Sequence, residues 1–210
     1  MKIIDVINLS KKYHHNIVLD KVNIYFEKGK CYMLVGSNGS GKSTFIKSLL
    51  GLTNYNGEIK QNNIKYGYVP EKIILPLNLT INEFLKEISI LKGIETNLDE
   101  TINNQLLTWN LYEKKHSLIK TLSKGMMQKV SIIQSLIIDN DVYIFDEVLN
   151  GLDQNNQGVF FNCIAELKRR GKTIIISTHY PKEYLQIVDL VYLVNDRKIK
   201  EYDKNNFKIN

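Results

Sequence analysis

The sequence predicts an α/β fold with a mainly parallel core sheet and an inserted α-helical subdomain. Three observations carry the prediction. Val142 to Phe145, Thr173 to Thr178 and Leu190 to Val194 are short, nearly continuous apolar runs, the pattern of parallel strands covered on both faces. A glycine-rich stretch, Gly36-Ser37-Asn38-Gly39-Ser40-Gly41-Lys42-Ser43-Thr44, fits the phosphate-loop pattern G-x-x-x-x-G-K-[ST] between a strand and a helix. Residues 77 to 139 read as mainly helical and interrupt the strand alternation.

Taken in order, Lys2 to Leu9 and Ile17 to Phe26 are strand-like, and the turn Lys28-Gly29-Lys30 leads into Cys31 to Val35. The helix from Ser43 to Leu50 is expected to stop at Gly51, and that from Asn155 to Arg170 at Gly171, where glycine accepts a left-handed cap. Lys65 to Val69 is a further strand. Thr80-Ile81-Asn82-Glu83 has capping-box spacing and opens a helix toward Leu91. No internal repeat or low-complexity linker divides the 210 residues, so one domain, 1–210, is expected, with a helical subdomain at about 77–139.

Two clusters carry chemistry. In the loop, Gly39 and Gly41 let the backbone turn its amides toward phosphate oxygens, and the following helix adds its positive dipole end. Lys42 is placed to reach terminal phosphates, Ser43 to offer a hydroxyl to Mg²⁺, and Thr44 to touch the α-phosphate. Asp146 and Glu147 end an apolar strand. The first acid is suited to hold magnesium and the second to polarise an attacking water, a division of labour sufficient for phosphoryl transfer.

Composition excludes several classes. At 43% hydrophobic the chain can bury a substantial core, yet no apolar run approaches the roughly 18 residues of a membrane span. The N-terminus lacks the apolar core of a secretory signal, so a cytoplasmic protein is expected. The net charge of +6 is spread rather than clustered and aromatic stacking motifs are absent, so no nucleic acid partner is expected. Cys31 and Cys163 have neither metal nor redox spacing and read as buried thiols.

Between loop and acids lies Leu122-Ser123-Lys124-Gly125-Met126-Met127-Gln128-Lys129. With it the chain resembles the ATP-binding cassette (ABC) ATPases over nearly its whole length. The resemblance implies a P-loop NTPase core with an N-terminal antiparallel β subdomain and the inserted α-helical subdomain. It places Tyr13 as the aromatic that stacks on adenine, Gly151-Leu152-Asp153 as the D-loop and His179 as the switch histidine at the γ-phosphate. Gly36, Ser37, Asn38 and Ser40 share the phosphate cradle with the residues named above. Ser123 and Gly125 donate to the γ-phosphate of a second cassette.

The chain departs from the family pattern in three places. The signature reads Leu-Ser-Lys-Gly-Met rather than Leu-Ser-Gly-Gly-Gln, keeping Ser123 and Gly125. Glu71 stands at the Q-loop glutamine position, where a carboxylate can bind Mg²⁺ or water but lacks the amide donor. Val148 replaces a common proline after Glu147.

The resemblance implies an ATP-hydrolysing subunit of an ABC transporter, peripheral on the inner face of the membrane. It would use ATP and Mg²⁺, a homodimeric or heterodimeric partner cassette and an integral membrane subunit. The chain ends soon after the last strands, without the regulatory domain appended to many sugar importers, and the resemblance is closest to short exporter-type cassettes. The alternatives are a soluble ABC-type ATPase acting on ribosome or DNA, or an ATP-binding regulatory subunit. The first lacks its usual second cassette, coiled coil or zinc module here, and intact Lys42, Glu147 and His179 argue against the second.

Overall fold

Strand β1 (Lys2–Tyr13) buries Ile4 and Val6, then Leu9. The change of phase falls at a register shift where Asn8 adopts φ +51°, as a bulge requires. These are coordinates of a computed structural model, which describes residues 1–93, 97–205 and 207. They divide into two units: Met1–Tyr66 with Asp141–Glu147 and Ile164–Asn210, and Gly67–Asn140 with Val148–Cys163.

In the first unit, β1 pairs antiparallel with β2 (Asn16–Glu27) and β4 (Asn56–Gln61), forming the sheet β2-β1-β4. This is the antiparallel N-terminal sheet expected. β1 runs on past Leu9 to Tyr13, which faces Asn16 across the hairpin. Residues 10–13 lack a buried alternation, so backbone pairing alone extends the strand. β4 was not expected either, for the same reason: five of its six residues are exposed.

The core sheet of this unit runs β6-β7-β3-β8-β9. β3 (Cys31–Val35) lies parallel between β7 (Thr173–Thr178) and β8 (Leu190–Asn195), and β6 (Val142–Asp146) is parallel to β7. Every residue of β3, β6 and β7 is buried, which is why these segments read as nearly continuous apolar runs. Each fully buried aliphatic side chain contributes about 1.5–3 kcal/mol by leaving water. β9 (Lys198–Asp203) closes the edge antiparallel to β8, and its polar composition hid it.

Phe26, Tyr32 and Tyr192 tie β2, β3 and β8 together. Tyr32 and Tyr192 stack with centroids 5.5 Å apart, and Phe26 meets Tyr32 edge-on at 4.9 Å. The Tyr192 hydroxyl donates to the Tyr25 carbonyl, so the buried phenol has its partner. Both cysteines are free. Burial pushes the Cys31 thiol up to about 12 and Cys163 to about 11.

Helix α1 (Lys42–Leu49) follows β3 and stops at Gly51, which takes φ +68°. The second unit holds α2 (Ile81–Leu91), α3 (Leu98–Thr108) and α4 (Lys124–Leu136). α2 starts with the expected capping box: the Thr80 hydroxyl accepts from the Glu83 amide while the Glu83 carboxylate accepts from the Thr80 amide. β5 (Tyr66–Val69) and α5 (Gln154–Arg169) each continue from one unit into the other in sequence. α5 ends before Gly171 at φ +70°.

Candidate functional site

The phosphate loop leaves β3 through two glycines that could not be replaced cheaply. A Cβ on Gly36 would lie 2.5 Å from both the Val194 carbonyl and Ser40 Oγ. Gly41 has φ +110°, and a Cβ there would press on Val18 and Leu19. Gly41 is also the N-cap of α1, and no side chain caps that helix. The first-turn amides therefore stay available to phosphate oxygens.

Lys42 is buried, and its Nζ donates to the Gly36 carbonyl at 2.7 Å and the Ser37 carbonyl at 3.3 Å. The same nitrogen lies 3.3 Å from Glu147 Oε1, with both side chains at most 6% exposed. Glu147 Oε2 is 2.8 Å from His179 Nδ1. A cation, a carboxylate and an imidazole from three separate stretches of chain thus converge within one unit.

Backbone geometry produces the convergence. β6 ends at Asp146, and Glu147 turns away with φ +53°, a left-handed conformation uncommon for glutamate and typical of functional positions. The Glu147 amide donates to the Ser177 carbonyl at 3.1 Å, holding the turn against β7. Asp146 stays in the sheet, buried, with the Ser177 hydroxyl donating to its carboxylate. Sequence reasoning missed Ser177, although a hydroxyl directly after the run Ile174-Ile175-Ile176 was a signal.

Glu147 Oε1 is buried and makes no hydrogen bond, despite its ion-pair distance to Lys42. A buried acceptor without a donor is costly, and a water can serve it. Ser43 and Asp146 carry the hard oxygens that could ligate a cation here. Among the described residues no cluster of three or more His, Cys, Asp or Glu side chains could hold a metal by itself. This donor set suits Mg²⁺, which is bound by one or two protein oxygens together with phosphates and water.

Tyr13 ends β1 and is 43% exposed, leaving ring surface open; Lys11 Nζ lies 4.7 Å from the ring centroid. Asn38 and Gly39 are exposed at the loop apex.

The second unit carries the remaining sequence candidates. Glu71 follows β5 and is exposed. Ser123 is the N-cap of α4, its hydroxyl accepting from the Met126 amide at 3.2 Å. A Cβ on Gly125 would come within 3.1 Å of the Gly151 carbonyl, and one on Gly151 within 3.0 Å of the Gln128 side chain. The signature helix and the Gly151 turn therefore pack backbone to backbone. Asp153 accepts from the amide and side chain of Asn156. Those bonds, with Lys129 nearby, hold its carboxyl below the usual range.

The fold and the loop–acid–histidine geometry define a P-loop ATPase, and comparison with known proteins narrows the class. The "ABC transporter" family model matches residues 19–150. An uncharacterized ABC transporter ATP-binding protein of Methanocaldococcus jannaschii is 36% identical over 203 residues, 96% of this chain and 77% of that protein. A Nod factor export ATP-binding protein of Burkholderia lata is 30% identical over 212 residues, 94% of this chain and 70% of that one. The solved structure of an ATP-binding subunit of an ABC transporter superposes with a TM-score of 0.90 at 27% identity, over 96% of this chain and 90% of that one. The chain belongs to the ABC transporter family. It is an ATP-binding, ATP-hydrolysing subunit of such a transporter.

Proposed function

We propose that this cassette works in the cytoplasm, docked on a separate integral membrane subunit, and powers export as one half of a cassette dimer. The observation that carries the site assignment is the convergence of Lys42, Glu147 and His179, at 3.3 and 2.8 Å, beside the phosphate loop. Export is the reading supported by the likeness to a Nod factor export protein and by the Lys124-Gly125-Met126 signature. Among the described residues no helix is long and apolar enough to cross a membrane, which fits a membrane subunit on another chain.

Each residue then has a role. Tyr13 stacks on the base. Gly36 to Gly41, with Ser43 and Thr44, surround the phosphates. Lys42 leaves the Gly36 and Ser37 carbonyls for the terminal phosphates, a better-charged partner. Ser43 and Asp146, with Glu71 from the Q-loop position, are the candidate Mg²⁺ ligands. When bound, Mg²⁺ neutralises charge on the β- and γ-phosphates. Glu147 Oε1 accepts a hydrogen bond from the attacking water and takes its proton as the water oxygen bonds to the γ-phosphorus and the bond from that phosphorus to the bridging oxygen of the leaving ADP breaks. His179 steadies Glu147 and faces the γ-phosphate. Ser123 and Gly125 of the second cassette complete the site, with a hydroxyl and amides at a helix N-terminus.

The dimer offers the decisive experiment. Glu147→Gln should trap ATP and shift the protein from monomer to dimer in size-exclusion chromatography. Adding Ser123→Arg should abolish the shift while ATP still binds. A double variant that dimerises fully would remove Ser123 from the interface. A Glu147→Gln protein that never dimerises alone would point to a different cassette as partner.

A further inference from the structure

A concavity of about 280 Å³ adjoins the phosphate loop within the first unit. One wall is Ser37 to Ser40, the second is Asn16 to Val18 of the β1–β2 hairpin, and the third is the Asn195-Asp196-Arg197 turn joining β8 to β9. Nothing in the phosphate-loop or acid motifs accounts for that third wall. Asn195 pairs with Lys198, so only Asp196 and Arg197 form the turn. Their φ values are +47° and +64°. Two-residue hairpin turns of this kind favour Asn, Asp and especially Gly, because a Cβ is strained at positive φ. Arginine at the second position carries that strain.

The backbone contact of this turn does not require an arginine. The Arg197 carbonyl accepts from the Asp20 amide at 2.9 Å, which glycine would do equally well. Its exposed guanidinium makes no hydrogen bond or ion pair among the described residues, and its charge only adds to the lowering of the Asp20 carboxyl, for which Lys198 is the main cause. The nearby carboxylates are already engaged: Asp20 pairs with Lys198 at 2.8 Å, and Asp196 accepts from the Asn195 side chain at 2.8 Å. Arg197 is therefore the cation in the wall of this concavity, without a hydrogen-bond or ion-pair partner among the described residues. Ser40 Oγ, on the facing wall, is buried without a hydrogen-bond partner. Strain held for little internal benefit at the edge of a binding site points to a ligand.

We infer that Arg197 is a further nucleotide-binding residue, its guanidinium directed at the ribose and α-phosphate of ATP. The assignment rests on the roles given above to Tyr13 and the phosphate loop. Tyr13 faces Asn16 in the hairpin register, so the base platform and one wall of the concavity belong to the same hairpin end. The loop that takes the terminal phosphates is the opposite wall. The part of a nucleotide joining a base to its β-phosphate is the sugar and α-phosphate, and it is shared by ATP and ADP. Arginine suits it, with a fixed charge and several donors in one plane.

Calorimetric titration of the full chain with ATP and ADP tests the inference, comparing wild type, Arg197→Gly and Lys42→Ala. Glycine relieves the left-handed strain, so nucleotide-free Arg197→Gly should melt at or above the wild-type temperature. Its dissociation constants for ATP and ADP should both rise about tenfold, by the same factor, as expected for loss of a charged hydrogen bond. Lys42→Ala should instead weaken ATP more than ADP. Arg197→Gly constants within twofold of wild type for both nucleotides would overturn the assignment. A loss confined to ATP would also overturn it, moving the guanidinium to the terminal phosphate. Should glycine lower the melting temperature, Arg197→Asn, neutral and tolerant of positive φ, is read by the same pair of constants. A wild-type protein binding neither nucleotide would sink the proposed site as a whole, whereas wild-type binding with an unchanged Arg197→Gly sinks this inference alone.

Discussion

The two units treat their functional side chains in opposite ways. In the first, Lys42, Asp146 and Glu147 are buried and engaged with neighbours of the same unit. In the second, Glu71 and Ser123 are exposed, and among the described residues the Ser123 hydroxyl bonds only to an amide of its own helix. Ile74, Leu77, Ile90, Leu91 and Leu107 of the second unit face solvent, although the first unit also exposes Met1, Ile17 and Leu52. Buried charges need an internal partner to be tolerated, so the first unit assembles its chemistry from its own chain. The second presents groups that make sense only toward something else. That contrast is what the proposed dimer and membrane subunit explain.

The contrast breaks most sharply at Glu147. Glu147→Gln keeps size and hydrogen bonding but loses the charge that polarises water. Turnover should drop at least about a hundredfold with ATP binding retained, the scale of lost general-base or electrostatic catalysis. Steady-state phosphate release beside a binding titration checks it. Near-normal turnover would assign water activation elsewhere.

A change on the second unit should leave nucleotide chemistry alone. Ile74 is 82% exposed, so Ile74→Glu should scarcely affect folding or ATP affinity. Co-purification with the membrane subunit in detergent should fall severalfold. Preserved assembly would move the docking surface away from this loop.

Tyr13 tests the first unit at its exposed margin. Tyr13→Phe should be nearly silent, and Tyr13→Ala should weaken ATP binding by about 1–3 kcal/mol, the range for base–aromatic stacking. Equal losses in both variants would mean that the hydroxyl, not the ring, is used.

The smallest effect concerns the cysteines. Burial raises both thiols, to about 12 and about 11, so at pH 8 the reactive thiolate is scarcer than in an unfolded chain. A chromogenic disulfide reagent should label the native protein far more slowly than the denatured one, with Cys163 ahead of Cys31 as pH rises. Rapid native labelling of Cys31 would mean that β3 opens readily to solvent.

Much of this protein was legible before any coordinates. Parallel strands buried on both faces announce themselves as apolar runs, and β6, β7 and β8 start and stop close to where those runs do. The phosphate loop, the Thr80 capping box and the glycine stops of α1 and α5 are local, each set by backbone needs within a few residues. Polar edge strands were not legible. β4 and β9 are held by pairing to β1 and β8, and pairing leaves no mark on composition.

Tertiary structure alone decided what the functional groups do to one another. That Lys42 meets Glu147, that Ser177 serves Asp146, and that an arginine in a left-handed turn stands beside the phosphate loop all depend on strand register between segments far apart in the chain. The sequence by itself determined which groups were on offer and the local backbone that carries them. The order β6-β7-β3-β8-β9 decided which came within a hydrogen bond of each other, because contact distance is a property of packing and not of spacing along the chain.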